Sequence, residues 1–559
     1  MRDSTIARAD GESIALCKVG DVLLCIAAAA TLGARHYTAQ EDYSFKSPLT
    51  DTAMPLFSRF RVLPLVLVSL LSACDNGNDN MGGSNPPPEP QRGELIGDVT
   101  LVASYSPSEL LALVSSGTVS QEILDAVLSP ECRIDVYHFE YRTVDPAGEL
   151  TPASGALMVP NDLDSGCQGE RPIVLYAHGT TANKAYNLAD LESSSNTEAV
   201  LIAAMFAAEG YIVVAPNYVG YDTSTLGYHP YLNGEQQSND MIDALTAARS
   251  ALPTADAPAT TDGGKLLVTG YSQGGYVAMA THRALQDAGE TVTASAPMSG
   301  PYALSAFSDA IFQGEVTGGS PVNLTLLLTS YQNAYGNLYA RPTDAYTGIY
   351  ATDIETLLPS TTSLNDLEDQ GKLPEAALFS STPPDPAYAD MTPATTPASL
   401  AVVFATGFGP DHLLTNDFRL AYLQDADAHP DGGFPTLSDG LPPAAPENPM
   451  RQALKENDQR AWAPTSPMLL CGGHRDPAVL YLNTELMQNY WSSETTVSVL
   501  DIDSNVTSGD PYENQKEGFA VAKALVELAG GDDEVLQNYH AGLVAPFCLS
   551  ASKQFFDGF

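Results

Sequence analysis

Basic residues are scarce in this chain of 559 residues, which carries 25 Lys and Arg against 68 Asp and Glu, a formal net charge of -43. That balance argues against nucleic acid as a partner, because neutralising phosphates takes a basic surface. Close cysteine pairs of the Cys-x-x-Cys kind are missing, which removes the support for a zinc framework. There is no His-Glu-x-x-His and no glycine-rich phosphate loop ending in Lys-Ser or Lys-Thr. A calcium loop is nearly absent as well. Asp501-Ile502-Asp503-Ser504-Asn505 begins like one, but Val506 stands where the turn needs glycine and Tyr512 where it needs a carboxylate. No metal and no cofactor is expected. The acidic surplus suits a salt-adapted protein and an ordinary acidic exported protein equally.

The first hundred residues read as address and tether. Arg59-Phe60-Arg61 precedes the apolar run Val62 to Leu71, too short to span a bilayer but suited to the core of a secretion signal. Leu71-Ser72-Ala73-Cys74 follows and resembles the lipobox of bacterial lipoproteins, which implies a lipid-bearing Cys74 as the only membrane anchor. Residues 74–95 are rich in Asn, Gly, Ser and Pro and read as a flexible linker. Because such signals open a chain, Met54 is the expected start, with 1–53 an overextended reading and 54–73 the signal peptide. Val22 to Leu32 is a second apolar stretch and an alternative signal, without a lipobox. The expected location is the bacterial periplasm or cell surface as a lipoprotein, or outside the cell.

Seven cysteines fit export. With Cys17 and Cys25 upstream and Cys74 carrying lipid, four remain. Cys132 opens a strand, Asp145-Pro146-Ala147-Gly148 turns it, and Ala153 to Pro160 returns, which brings Cys132 towards Cys167. Cys471–Cys548 then follows by elimination.

From Ser106-Pro107-Ser108-Glu109, a capping box with proline at the first helical position, the chain alternates helix and strand patterns. Strands are expected at 172–177, 211–216, 265–269 and 292–298, helices at 196–210 and 238–252, and the strands are apolar throughout. Such alternation indicates an α/β fold, a mainly parallel sheet covered by helices. It fails between about 301 and 463, where helical segments such as 322–335 and 413–423 lie among stretches rich in Pro, Thr and Asp. So long a stretch is expected to form an inserted, mostly helical cap. The core then occupies 96–300 and 464–559, with strands at 467–471 and 495–500.

One turn carries the chemistry. Gly270-Tyr271-Ser272-Gln273-Gly274 sits between the apolar strand and a small-residue helix. A strand-to-helix turn this tight strains its central residue and needs neighbours without a β-carbon, so Gly270 and Gly274 flank a lifted Ser272 as a Gly-x-Ser-x-Gly nucleophile elbow. A serine hydroxyl is a poor nucleophile until an oriented base takes its proton. In this arrangement an acid and then a histidine follow the serine in the chain. His282 lies about 15 Å along the following helix and is out of reach; His412 and His429 fall in the cap, and His474 precedes the best acid. His540 remains. Asp476, just past the strand ending at Cys471, is the expected acid, with Asp501 and Asp503 as alternatives. The oxyanion of an acyl intermediate needs N–H donors: Gln273 supplies one and Thr180, in Tyr176-Ala177-His178-Gly179-Thr180-Thr181, the other. His178 and Gly179 read as supporting residues, since their strand lies well before the serine.

The elbow, His178-Gly179, Asp476, His540 and the long insertion together resemble the α/β-hydrolase superfamily, in particular its secreted, capped lipases and esterases. Asn217-Tyr218-Val219-Gly220-Tyr221 is similar to the Asp-Tyr-x-Gly segment of those enzymes, with Asn217 in place of Asp, and Trp462-Ala463-Pro464-Thr465-Ser466-Pro467 to their lead-in to the acid-bearing strand. The resemblance spans about Arg133 to Cys548 outside the cap; its last strand and His540 are separated by more residues than is usual there. It implies a serine hydrolase acting on carboxylic esters, whether small-molecule, lipid or polyester. A peptidase or acyltransferase on the same residues, and a noncatalytic surface lipoprotein with a hydrolase fold, are the other readings.

Overall fold

The computed structural model describes residues 90–115, 128–161, 167–193, 196–252, 260–494 and 496–559. The two apolar stretches before residue 72, Cys17, Cys25, Cys74 and the linker up to residue 89 lie outside the described residues.

Nine strands form one sheet: β1 (Leu95–Tyr105), β2 (Ile134–Val144), β3 (Leu150–Pro160), β4 (Gly169–Ala177), β5 (Ile212–Pro216), β6 (Thr260–Tyr271), β7 (Ala294–Met298), β8 (Met468–Gly472) and β9 (Val497–Asp501). Their order across the sheet is β1-β2-β3-β5-β4-β6-β7-β8-β9. The pairs from β5 through β9 are parallel, and β1, β2 and β3 add an antiparallel edge. Sequence and sheet agree on the physics. Strands such as β5, Ile-Val-Val-Ala-Pro, are buried along their whole length, as strands covered on both faces must be. The β2–β3 turn is closed by Asp145, whose carboxylate accepts from the N–H groups of Ala147 (2.9 Å) and Glu149 (3.0 Å).

The helices that bear on the site are α1 (Pro107–Ser115), α2 (Thr197–Met205), α3 (Gly234–Ala251), α4 (Gln273–Asp287), α5 (Leu304–Phe312), α6 (Ser320–Tyr335), α7 (Asn416–Ala428), α8 (Pro449–Glu456), α9 (Leu482–Tyr490), α10 (Glu513–Asn538) and α11 (Ala545–Phe556). The expected capping box forms at α1, where Glu109 Oε2 accepts from Ser106 N–H at 2.7 Å. The helix expected to start at Ser238 starts four residues earlier, because the Asn233 side chain caps it by accepting from Gln236 N–H at 3.0 Å.

Between β7 and β8 the chain builds the insertion from α5 to α8, shorter helical segments and a two-stranded parallel pair, Phe379–Ser380 with Phe408–Gly409. Its helices are tied by buried charge. Arg451 donates to Asp309 and Asp425, each at 2.7 Å, and Arg460 to Asp431 at 2.7 Å and Asp458 at 2.8 Å. Breaking one side of such a pair strands a charge away from water.

Two disulfides close the core, Cys132–Cys167 and Cys471–Cys548, with Cα–Cα distances of 5.8 and 5.6 Å. The second joins β8 to α11. It spans the stretch that a short strand-to-histidine connection would have lacked: α10 fills that stretch and bends at Gly531, whose φ is 79°.

Candidate active site

Ser272, Asp476 and the Gly179-Thr180 segment follow the carboxyl ends of parallel strands, where sheets of this kind gather their chemistry, and His540 reaches the same site from the turn after α10. Ser272 follows β6 directly and caps α4 with φ 60° and ψ -122°, a conformation L-residues rarely hold. Three glycines make it possible. A Cβ on Gly270 would lie 2.4 Å from Gly274 O, one on Gly274 1.9 Å from Ala177 O, and one on Gly275 2.3 Å from Met298 O. Gly275, not singled out in the sequence, is as constrained as the other two.

Asp476 is buried in the loop after β8, where its Oδ1 accepts from Ala478 N–H (2.9 Å) and Val479 N–H (3.0 Å). Its Oδ2 accepts from His540 Nδ1 at 2.7 Å. The other two carboxylates considered are engaged elsewhere: Asp501 with the exposed His474 at 2.9 Å, Asp503 with Lys523 and with Tyr539 OH at 2.7 Å. Asp503 nevertheless touches the residue beside His540. His540 sits in a widened π-helical turn, Tyr539–Val544, with Tyr271 OH donating to its carbonyl and the two rings 4.9 Å apart. Its Nε2 is buried and has no partner among the described residues.

Ser272, His540, Gln273, Gly179 and Thr180 line one cavity of about 300 Å³. No hydrogen bond joins Ser272 Oγ to His540 among those the described residues make. Its wall is mainly apolar, and Leu304, Phe307, Ile311, Leu324 and Leu327 reach it from α5 and α6 of the insertion. An imidazole held at Nδ1 by a carboxylate, with a bare Nε2 in the same cavity as a hydroxyl, can take that hydroxyl's proton.

The opposite wall is the loop after β4. His178 is fully buried, stacked on Tyr218 at 4.1 Å, with Nδ1 2.7 Å from Gly179 O and Nε2 3.2 Å from Asn217 O. Burial lowers its pKa to about 4 despite those two carbonyls, so it is neutral and spent on its own loop. Gly179 N–H is taken by the Glu198 carboxylate at 3.0 Å. Thr180 Oγ1 bonds Tyr231 OH at 3.0 Å, and both residues line the cavity. Gln273 N–H, first in α4, has no intrahelical acceptor. Asn217 is buried and structural: its Oδ1 accepts from Leu188 N–H at 2.8 Å and its Nδ2 donates to Ser154 Oγ at 3.0 Å.

Sequence reasoning missed Glu198, Tyr271 and His229. Tyr271 lies inside the elbow motif and could have been found there; the others have no spacing that ties them to Ser272.

Solved structures share this fold. The rice cell wall degrading esterase LipA from Xanthomonas oryzae superposes with a TM-score of 0.57 at 24% identity, covering 81% of this chain and 99% of that one. The fold is that of the α/β-hydrolases. A presumed hydrolase from Legionella pneumophila shares the hydrolase fold with a TM-score of 0.57 at 19% identity, over 83% of this chain and 98% of the other. A model of the prolyl oligopeptidase family matches residues 198–339 of this hydrolase fold, from α2 through the elbow into the insertion. No curated protein sequence matches the chain.

Proposed function

We propose that the protein is a serine esterase. Ser272 Oγ attacks an ester carbonyl while His540 Nε2 takes its proton, and Asp476 fixes the imidazole tautomer and stabilises the imidazolium. The oxyanion develops against the N–H groups of Gln273 and Thr180. Collapse expels the alcohol, which leaves with the proton from His540, and water then releases the acyl group by the same relay. The Asp476–His540 hydrogen bond, which holds an imidazole that lines the cavity of the strained Ser272, carries this reading. The apolar wall favours the acyl part of a carboxylic ester, with small-molecule, lipid or polyester esters as the substrate class, and the likeness to an esterase that degrades plant cell walls points the same way. Two disulfides and the apolar run before Cys74 support export, with a lipid on Cys74 as anchor or release from the cell.

The match to the prolyl oligopeptidase family favours a second reading, amide hydrolysis by the same residues. One experiment separates the two. Short and long p-nitrophenyl esters and chromogenic peptides are assayed with the wild type and Ser272→Ala. Ester turnover exceeding peptide turnover, and lost on the substitution by roughly a thousandfold or more, is expected. Faster cleavage of the peptides would replace the esterase reading, and equal ester rates for both proteins would remove Ser272 from the reaction.

A further inference from the structure

We infer that His229 is a positioning residue for the oxyanion site, holding the Gln273 side chain so that the N–H of that residue faces the reacting carbonyl. The inference rests on the hydrolase reading above and concerns a residue that touches no substrate.

His229 is buried behind the elbow, and its Nδ1 lies 2.8 Å from Val219 O. With a carbonyl at Nδ1 and amide nitrogens at Nε2, the ring is best matched with its proton on Nδ1. A neutral imidazole has one proton, so Nε2 is a lone pair, and it meets two carboxamide nitrogens: Gln273 Nε2 at 2.7 Å and Gln237 Nε2 at 3.3 Å. Burial, which lowers the His229 pKa to about 3, keeps the ring in that neutral form. Gln273 stands immediately after Ser272, so anchoring its side chain fixes the peptide whose N–H borders the hydroxyl. The same loop holds the opposite donor. Tyr231 OH bonds Thr180 Oγ1 at 3.0 Å, Tyr218 OH donates to His178 O at 3.1 Å, and Tyr221 OH to Thr181 O at 2.6 Å. The loop has little freedom of its own: Tyr218 and Gly220 hold φ of 65° and 100°, and a Cβ on Gly220 would lie 2.5 Å from Tyr228 O. Segment 218–231 therefore sets the separation between the two oxyanion donors, with the His229–Gln273 bond as its fixed end.

The test compares His229→Asn, which loses the Nε2 acceptor, His229→Gln, which keeps an acceptor near that position, and Gln273→Met, which keeps the backbone N–H and loses the anchored amide. For p-nitrophenyl butyrate, His229→Asn and Gln273→Met are each expected to lower kcat by about 10- to 100-fold with KM within about twofold. A boronic acid that mimics the tetrahedral intermediate should weaken in parallel. The double variant should lose no more than either single one, because both remove one contact, and His229→Gln should recover most of kcat. Unchanged kcat in Gln273→Met, losses confined to KM, or losses that multiply in the double variant would overturn the inference. If His229→Asn does not fold, Gln273→Met carries the test alone. Activity that survives Ser272→Ala would overturn the hydrolase reading instead, and the two failures are thus distinct.

Discussion

At the scale of single residues, burial decides protonation. Asp240 is fully buried beside the site loop, accepting from Val219 N–H at 2.7 Å and from Tyr141 OH, and burial raises its carboxyl pKa to about 7. A raised carboxyl pKa means that the folded state holds a proton the unfolded chain releases above about 4. The stabilisation is therefore complete below that value and is lost as pH rises through 7. Asp240→Asn has no such proton to lose. Relative to that variant, wild-type unfolding free energy should fall between pH 5 and 7, by at most about 1.4 kcal/mol per unit. Urea melts of both proteins across that range check it; parallel pH profiles would show that Asp240 is ionised at neutral pH. His178 and His229 carry the opposite sign, their pKa values depressed by burial to about 4 and about 3, so their contribution is lost as pH falls below 6.5.

At the scale of elements, the second disulfide joins structure to chemistry. Cys471 lies in the strand that leads to Asp476, and Cys548 in the helix that follows His540, a separation of 77 residues. Closing a loop of that length contributes about 4 kcal/mol in the chain-entropy model. Replacing both cysteines by serine should lower Tm and should also cut ester turnover at temperatures where circular dichroism remains native. Turnover that declines only with unfolding would show that packing of α11 suffices to hold His540. The sequence made some elements plain and hid others. The elbow was readable because three backbone atoms forbid side chains there, and the β2–β3 hairpin because its turn needs Asp and Gly. By contrast, α10 escaped notice: Val521, Leu525 and Leu528 point to solvent, so the apolar face that marks a packed helix is blurred, and Gly530-Gly531 reads as a break. The antiparallel β1, which overlaps the stretch read as linker at Leu95 alone, was not read as a strand: only one of its eleven residues is fully buried and five are exposed. The insertion stayed opaque because buried Arg–Asp pairs hold its helices together, and such pairs have no sequence period.

At the scale of the whole molecule, the account depends on convergence. Ser272 and Asp476 follow β6 and β8 and His540 follows α10; the order of strands brings the first two to one end of the sheet, and the segment after α10 returns His540 to the cavity of Ser272 and to the Asp476 carboxylate. His540 was reached in the sequence by eliminating other histidines, since no motif surrounds it; the hydrogen bond to Asp476 is a tertiary fact. The same holds for His229, which precedes the serine and so lay outside any search for a base. The most direct measurement is covalent labelling. The protein is treated with a p-nitrophenyl alkylphosphonate, and the modified residue is located by mass spectrometry in the wild type, His540→Ala and Asp476→Ala. The account predicts a single adduct on Ser272 in the wild type, formed with loss of p-nitrophenol, and labelling slowed by at least about a hundredfold in His540→Ala. An adduct on another residue, or labelling of Ser272 at an undiminished rate without His540, would contradict it.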